Sequence, residues 1–356
     1  SNPAMARAAM YTIPSVNLTL SPPQSQKWKS RTQSPAEFNT TKKRNLVAAS
    51  SNSPVVDDER VFECNSRRKI KDRVFFLDVN PLCYKGNNPS LRSFANWISL
   101  FFSQVSLNHP VIAVIDGEGG HAHRKQILPS YKAHRMRFFR RVVTAGRSLQ
   151  LPVGRSHQVV TNFLKNCNVP VLKIEGQEAD DVVATLAEQV LDRDSRVVIA
   201  SPDKDFKQMI SEDVQLVIPV PELDRWSFYT LKHYIAQYGC DPKSDLSLRC
   251  ILGDAVDGVP GIQNVVPGFG RKTALKLLKK HGSLENLLNA AAVRTVGKQY
   301  VQDALTKYGF ELRRNYQVLA LRRDIDVHIQ DKWLSKRDTT NDSAALTKLY
   351  KLIGES

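Results

Sequence analysis

Three carboxylates crowd into four residues at Glu178-Ala179-Asp180-Asp181, ahead of an apolar pattern of Val182, Val183, Leu186, Ala187 and Val190. That spacing of three and four residues predicts a helix with one buried face, so the acids sit where the helix enters the core. A first helical turn favours acids because the macrodipole is positive there, and this accounts for Glu178 in the ordinary way. Three together ask for more. Glu178 and Asp181 share a face with Asp180 beside them, and their mutual repulsion calls for a compensating cation. A solvated helix start and a metal site are both open on this stretch alone, and convergence of other carboxylates would separate them.

Such carboxylates follow predicted strands. Arg73-Val74-Phe75-Phe76-Leu77-Asp78 is a short apolar run ending in an acid, and Val111-Ile112-Ala113-Val114-Ile115-Asp116 repeats it. Arg196-Val197-Val198-Ile199-Ala200 runs on into Ser201-Pro202-Asp203-Lys204-Asp205, and Val214 to Ile218 reads as a further strand. Continuous apolar runs between helical segments predict buried strands of a parallel sheet, an α/β fold. Ligands in open α/β sheets bind beyond the carboxyl ends of the strands, where Asp78, Asp116, Asp203 and Asp205 all fall. One Asp after a strand is ordinarily a turn or cap residue; three strands ending this way, with the acidic helix start, point to a site. Leu252-Gly253-Asp254-Ala255-Val256-Asp257-Gly258 adds two more carboxylates three apart.

The chain of 356 residues carries a formal charge of +16 and a pI near 9.6, which points to a polyanionic partner, most simply nucleic acid. No apolar run approaches the length needed to span a membrane. The odd set of five cysteines (Cys64, Cys83, Cys167, Cys240, Cys250), without Cys-x-x-Cys spacing, predicts reduced thiols rather than zinc or disulfides.

Between Gly119 and Ile174 there is no acid at all, while Arg124, Lys125, Lys132, Arg135, Arg137, Arg140, Arg141, Arg147, Arg155, Lys165 and Lys173 supply charge of one sign. Phosphate contacts explain this better than a solvated face of mixed charge. Tyr131, Phe138 and Phe139 offer stacking surfaces for unpaired bases, with core packing the equal alternative for Phe138 and Phe139. His121 and His123 read as surface residues. Further on, Gly268-Phe269-Gly270-Arg271-Lys272-Thr273-Ala274 is a glycine-rich turn opening an amphipathic helix, where backbone amides with Lys272 and Thr273 suit a phosphate. The Gly-x-x-x-x-Gly-Lys spacing of a nucleotide P-loop is absent, and a helix-turn-helix gripping a DNA backbone fits better. Helical patterns around Ser283 to Ala292 and Val301 to Leu321 would support it. Residues 1–53 are rich in Ser, Thr, Pro and Ala with Glu37 as their single acid, the composition of an organelle transit peptide or of a basic arm touching nucleic acid.

On these motifs the stretch from Lys71 to Leu321 resembles the 5′→3′ exonuclease and flap endonuclease superfamily, in particular the exonuclease domain of bacterial DNA polymerase I. The motifs are Leu77-Asp78, Val114-Ile115-Asp116, Tyr131-Lys132-x-x-Arg135, Glu178-Ala179-Asp180-Asp181, Asp203-Lys204-Asp205, Gly253-Asp254-x-x-Asp257 and Gly-x-Gly-x-Lys-Thr-Ala. The resemblance implies a parallel-sheet, PIN-like (resolvase-like) nuclease core with a helical arch and a C-terminal helix-three-turn-helix module. It implies two divalent metals, Mg2+ or Mn2+. Asp78, Asp116, Glu178, Asp180 and Asp203 would lie around the first, and Asp181, Asp205, Asp254 and Asp257 around the second. Tyr131, Lys132, Arg135 and Arg124 would be catalytic residues at the base of the arch, with Lys132 and Arg135 polarising the scissile phosphate. Arg137, Arg140 and Arg141, with Gly268, Gly270, Arg271, Lys272 and Thr273, would bind DNA, the glycine turn holding K+.

The expected organisation is a transit peptide or basic arm (1–53), a linker (54–70), the nuclease core (71–222, arch about 121–160), the duplex-binding region (223–330) and a tail (331–356). The expected partner is DNA with a 5′ flap, a 5′-recessed end or a branch, RNA–DNA hybrids included, acted on by a monomer. A free-standing nuclease is expected, since no polymerase domain follows, and a transit peptide on a bacterial-type nuclease implies work on the genome of a chloroplast or mitochondrion, as in a plant. A DNA-binding protein that has lost catalysis and a ribonuclease are the rival readings. Three features depart from the family: Val79-Asn80 after Asp78, where a small residue is usual; Gly258 after Asp257, where Asn is common; and an insertion, Asn264-Val265-Val266-Pro267, before the glycine turn.

Overall fold

The computed structural model describes residues 71–86, 88–133 and 153–354. Arg135, Arg137, Arg140, Arg141, Arg147, Phe138, Phe139, Cys64 and the whole of 1–70 lie outside the described residues, and no described helix is long and apolar enough to cross a membrane.

The four expected strands form, as β1 (Arg73–Asp78), β4 (Val111–Ile115), β6 (Arg196–Ala200) and β7 (Val214–Val220). Between β1 and β4 lies a two-stranded hairpin, β2 (Tyr84–Lys85) and β3 (Asn88–Pro89). Two further strands, β5 (Val171–Lys173) and β8 (Arg225–Tyr229), complete a six-stranded sheet in the order β5-β4-β1-β6-β7-β8. All neighbours are parallel except β7 and β8. Since β8 belongs to this sheet, the α/β core continues past residue 222 into the stretch assigned from the sequence to duplex binding.

Alternate residues of the central strands face opposite ways, and both faces are dry. Val74, Phe76, Ile112, Val114, Val197 and Ile199 pack with Val182, Val183, Leu186 and Val190 of helix α4 (Ala179–Leu191). On the other face Phe75, Leu77, Ala113, Ile115 and Val198 meet α1 (Leu91–Leu100) and α3 (Val153–Asn166). This is why the runs are continuously apolar rather than alternating. A third core joins α6 (Asp245–Leu252), α7 (Arg271–His281), α8 (Leu284–Val293) and α9 (Gln299–Leu319). Two residues from the acid-free segment, Leu128 and Tyr131, are buried in that helical core, just after the short α2 (Ala122–Ile127). Helix α5 (Leu231–Tyr238) leads from the sheet to these helices.

Within the stretch expected as a tail, α10 (Asp342–Leu352) places Ala345 and Leu349 in the core beside α1 and α3. Arg337 pins it there. Its guanidinium grips both oxygens of Asp342 at 2.6 and 2.8 Å, donates to Cys167 O at 2.9 Å, and lies 4.1 Å from the Phe102 ring.

Candidate metal centre

Strand β1 is the point at which the sheet's order reverses, with β4 on one side and β6 on the other, so loops leaving their carboxyl ends diverge and open a crevice. Asp78 closes β1, Asp116 follows β4, and Asp203 and Asp205 follow β6. Neutral groups hold Asp78, Asp116 and Asp203. Ser201 Oγ donates to Asp78 Oδ2 at 2.7 Å, Asn80 Nδ2 to Asp116 Oδ2 at 2.5 Å, and the Ala179 N–H to Asp116 Oδ1 at 2.8 Å. The last bond ties the end of β4 to the start of α4. Burial, reinforced by the charge of Asp116, raises the Asp78 pKa well above the carboxylate range, with Ser201 offsetting part of it.

Glu178 is the N-cap residue of α4, yet its side chain does not cap the helix. It turns instead into a cluster of donors. Lys132 Nζ and Arg124 Nη1 bond its two oxygens, His121 Nδ1 lies 2.7 Å from Oε1, and Tyr131 Oη reaches both oxygens at 3.3 Å. Burial alone would raise its pKa; the His121 hydrogen bond and the charges of Lys132 and Arg124 hold it far below the usual range. Arg124 also grips Asp181, at 2.7 and 2.8 Å, and Asp181 Oδ1 takes the Arg322 N–H at 2.8 Å as well. Asp180 has weaker relief, with Arg124 Nη1 standing 3.9 Å from its Oδ1. Its burial and the charge of Glu178 push its pKa well up.

Three sets of carboxylates bring oxygens within 4.8 Å of one another: Glu178 with Asp180 and Asp181; Asp180 with Asp203 and Asp205; and Asp205 with Asp254 and Asp257. Asp180 and Asp205 are each shared, so the three sets form one continuous line. Arg249 Nη2 bridges Asp205 (2.5 Å) and Asp254 (2.8 Å), and Lys204 Nζ binds Asp254 at 2.6 Å. Those two cations hold Asp254 below its ordinary pKa despite its burial. Asp205 goes the other way: burial, then the charge of Asp203, raise it to about 7.

Sequence comparison matches the 5′-3′ exonuclease N-terminal resolvase-like domain over residues 73–239 and the 5′-3′ exonuclease C-terminal SAM fold over residues 240–342. The chain belongs to the 5′-3′ exonuclease family. It is 28% identical over 268 residues to a 5′-3′ exonuclease of Aquifex aeolicus, covering 75% of this chain and 84% of that protein. It is 30% identical over 211 residues to DNA polymerase I of Bacillus caldotenax, covering 59% of this chain but 23% of that much longer relative. In fold it is similar to T5 5′-exonuclease with bound zinc, at a TM-score of 0.52, 21% identity and 79% of this chain against 98% of that one. The parallel sheet followed by a helical module agrees with both halves of the family.

Within this family member the geometry revises several expectations. Asp181 stands with Glu178 and Asp180, not with Asp205, Asp254 and Asp257, because Arg124 and the Arg322 amide draw its carboxylate away from them. Tyr131 is 1% exposed, which removes it as a stacking surface for bases. Arg124 and Lys132 are equally buried, so both reach the crevice as ion-pair partners of the carboxylates. His121, read as a surface residue, lies on Glu178. Its loop can pack that closely because Gly120 has no Cβ; one would stand 2.7 Å from Gln177 O. Asn80, Ser201, Lys204 and Arg249 also touch the carboxylates; none of them is assigned to the site from the sequence, where Asn80 stands out only as part of a departure from the family. For Lys204 the signal was its place inside Asp203-Lys204-Asp205; Arg249, four residues before Gly253, offered none.

Gly258 has a structural cause. Its φ is +71°, and a Cβ there would meet Ser130 O at 2.3 Å. Ser130 Oγ donates to Gly258 O at 2.7 Å and the Lys132 N–H to Asp257 O at 2.8 Å, so the loop carrying Lys132 is clamped to the loop carrying Asp254 and Asp257. Lys132 itself is held at φ +48°, a strained conformation for a residue with a side chain.

At the glycine turn, the Thr273 hydroxyl closes the loop by donating to Gly268 O at 2.9 Å, and Tyr300 Oη reaches the same oxygen at 3.3 Å. Gly270 caps α7 with space open around it. Arg271 lies 4.6 Å over the Tyr238 ring, while Lys272, Lys276, Lys279 and Lys280 line an open cleft of about 560 Å3 along α7. The inserted residues make a compact turn, with the Val266 N–H on Ile262 O at 2.9 Å and Val265 57% exposed.

Proposed function

We propose that this chain is a structure-specific 5′→3′ exonuclease and flap endonuclease that hydrolyses DNA phosphodiester bonds at a centre for two divalent cations, Mg2+ or Mn2+. One observation carries this reading: Asp180 and Asp205 each serve two of three adjoining carboxylate sets, which gives a line of hard oxygens long enough for a pair of ions. The donor set fits the ions. All of it is carboxylate, the ligand type of Mg2+ and Mn2+, with no His or Cys in any of the three sets among the described residues.

When held by these carboxylates, two such ions would supply the activation of a water and the stabilisation of the leaving oxygen that phosphodiester hydrolysis needs. The chain's own residues do the rest. Asp78, Asp116 and Asp203, held by neutral donors, would ligate the ions together with Asp180 and Asp205. Lys132, anchored on Glu178 and clamped through Asp257 O, is fixed close to where a phosphate would sit and would oppose its developing charge. The lysine-lined face of α7 suits the duplex backbone. Potassium at the Gly268–Gly270 turn belongs to the same reading, on the strength of the Gly-x-Gly-x-Lys-Thr-Ala motif.

The substrates this reading favours are 5′-flap, 5′-recessed and branched DNA bound by a monomer, with RNA–DNA hybrids as a secondary class. The composition of residues 1–53 supports action in the chloroplast or mitochondrion. Incubation with labelled flap DNA, single-stranded RNA and an RNA–DNA hybrid, in Mg2+ or EDTA, tests the activity. Cleavage of flap DNA in Mg2+ alone is expected; binding without cleavage, or cleavage of RNA only, would reject it. A fluorescent fusion of residues Met5 to Ser53 tests the location, and a diffuse cytosolic signal would count against it.

A further inference from the structure

Asn80 lies two residues beyond Asp78, in the short 3-10 turn that follows β1. Its Nδ2 donates to Asp116 Oδ2 at 2.5 Å, and the other Asp116 oxygen takes the Ala179 N–H at 2.8 Å. Asp116 is therefore fixed at both oxygens, and both donors are uncharged. The partner decides which way the amide faces, because turned over it would set oxygen against oxygen. That leaves Asn80 Oδ1, which is buried and has no hydrogen-bond partner. An unmet buried acceptor is costly, and a planar amide keeps this one beside the Asp116 carboxylate.

A neutral donor and an unused hard oxygen make a combination suited to a cation site. The donor orients a carboxylate without cancelling its charge, as a lysine here would do, and the oxygen can receive a proton donor from the ion's hydration shell. Glu178 and Asp254 show the contrasting arrangement, with lysine and arginine directly on their oxygens.

We propose that Asn80 is a positioning residue of the metal centre: Nδ2 holds Asp116 in its ligating orientation, and Oδ1 accepts a hydrogen bond from a water on the divalent ion. This rests on the metal-centre reading above, so the test reads ion binding rather than turnover. Mn2+ binding to the full chain is measured by calorimetry for the unaltered protein, Asn80→Ala, Asp116→Asn and the double variant. Asn80→Ala is expected to weaken Mn2+ binding about tenfold, the usual scale for a group that supports a ligand, with the thermal midpoint in EDTA near that of the unaltered protein. The double variant is expected to lose less than the sum of the single losses, because Asn80 acts largely through Asp116. Unchanged Mn2+ affinity in Asn80→Ala, or strictly additive losses, would overturn the proposal. Where Asn80→Ala does not fold, Asn80→Ser, which keeps a shorter donor and acceptor, carries the same comparison. Failure of the unaltered protein to bind Mn2+ would instead overturn the metal centre itself.

Discussion

The strand-end acids and the helix-side acids line one crevice but are held by opposite means. Asp78, Asp116 and Asp203 meet a serine hydroxyl, a side-chain amide and backbone N–H groups. Glu178, Asp181 and Asp254 meet Arg124, Lys132, His121, Lys204 and Arg249. Asp180 and Asp205 lie between: Arg124 stands 3.9 Å from Asp180 and Arg249 2.5 Å from Asp205, yet burial and the neighbouring carboxylates still raise their pKa values. The difference separates two tasks. On the proposed function, neutral holders would fix geometry and leave charge unspent for a cation, while cationic holders would keep positive groups in the crevice for a phosphate.

The sharpest way to break this division is to remove charge from the unspent side. Asp180→Asn or Asp203→Asn is expected to lower Mg2+-dependent flap cleavage by about a thousandfold or more, the upper scale for loss of one preorganised electrostatic group, with DNA affinity in a gel-shift assay largely kept. Cleavage that survives either change would end the metal assignment. On the cationic side, Lys132→Ala is expected to cost about a hundredfold in kcat with little change in binding. A loss confined to binding would move Lys132 from chemistry to grip.

Two smaller effects sharpen the boundary between the regions. Gly258→Ala forces a Cβ toward Ser130 O at φ +71° and is expected to destabilise the protein by about 1–3 kcal/mol in urea unfolding, and to depress kcat by loosening the loop of Lys132. Asp205 carries a pH signature. Its folded pKa, about 7, lies above the unfolded value, so between the two the folded state holds a proton that the unfolded state has released. In EDTA, therefore, stability is expected to fall as pH rises toward 7, the loss being complete above it. Mg2+ competes with that proton and should flatten the trend. Thermal midpoints across this range, with Asp205→Asn as the variant in which the trend is weaker, provide the check, since Asp78 and Asp180, whose pKa values are also raised, carry the rest of it.

Much of this was legible in the sequence, and what was not has a physical pattern. The strands β1, β4 and β6 announced themselves because burial on both faces leaves continuous apolar runs, and each runs into an acid. Strand β5 is three residues long and β8 mixes Arg225, Ser227 and aromatic residues at an antiparallel edge, so neither carries that signal. The acids could be named because three strand ends and an acidic helix start all carry them, a convergence that ordinary turn and cap roles do not produce. Their partners could not: Arg249 and Asp205 are far apart along the chain, and only folding brings them to 2.5 Å. Tyr131 misled in the same way. An aromatic among arginines looks like a base platform until the helical core is seen to close over it.

The smallest expected effect tests whether Glu178 depends on each of its partners alike. His121 has a side chain that is 31% exposed, whereas Lys132 and Arg124 are almost wholly buried, so solvent screens its pairing with Glu178 far more. Removing it leaves Glu178 with Lys132, Arg124 and Tyr131. His121→Ala is therefore expected to lower kcat less than about fivefold, the limit set by the energy of an exposed pair, with Mn2+ affinity and the thermal midpoint little changed. A drop as large as that of Lys132→Ala would mean that the half-exposed histidine, rather than the buried cations, governs Glu178. The helix-side cluster would then be no more self-sufficient than the strand ends.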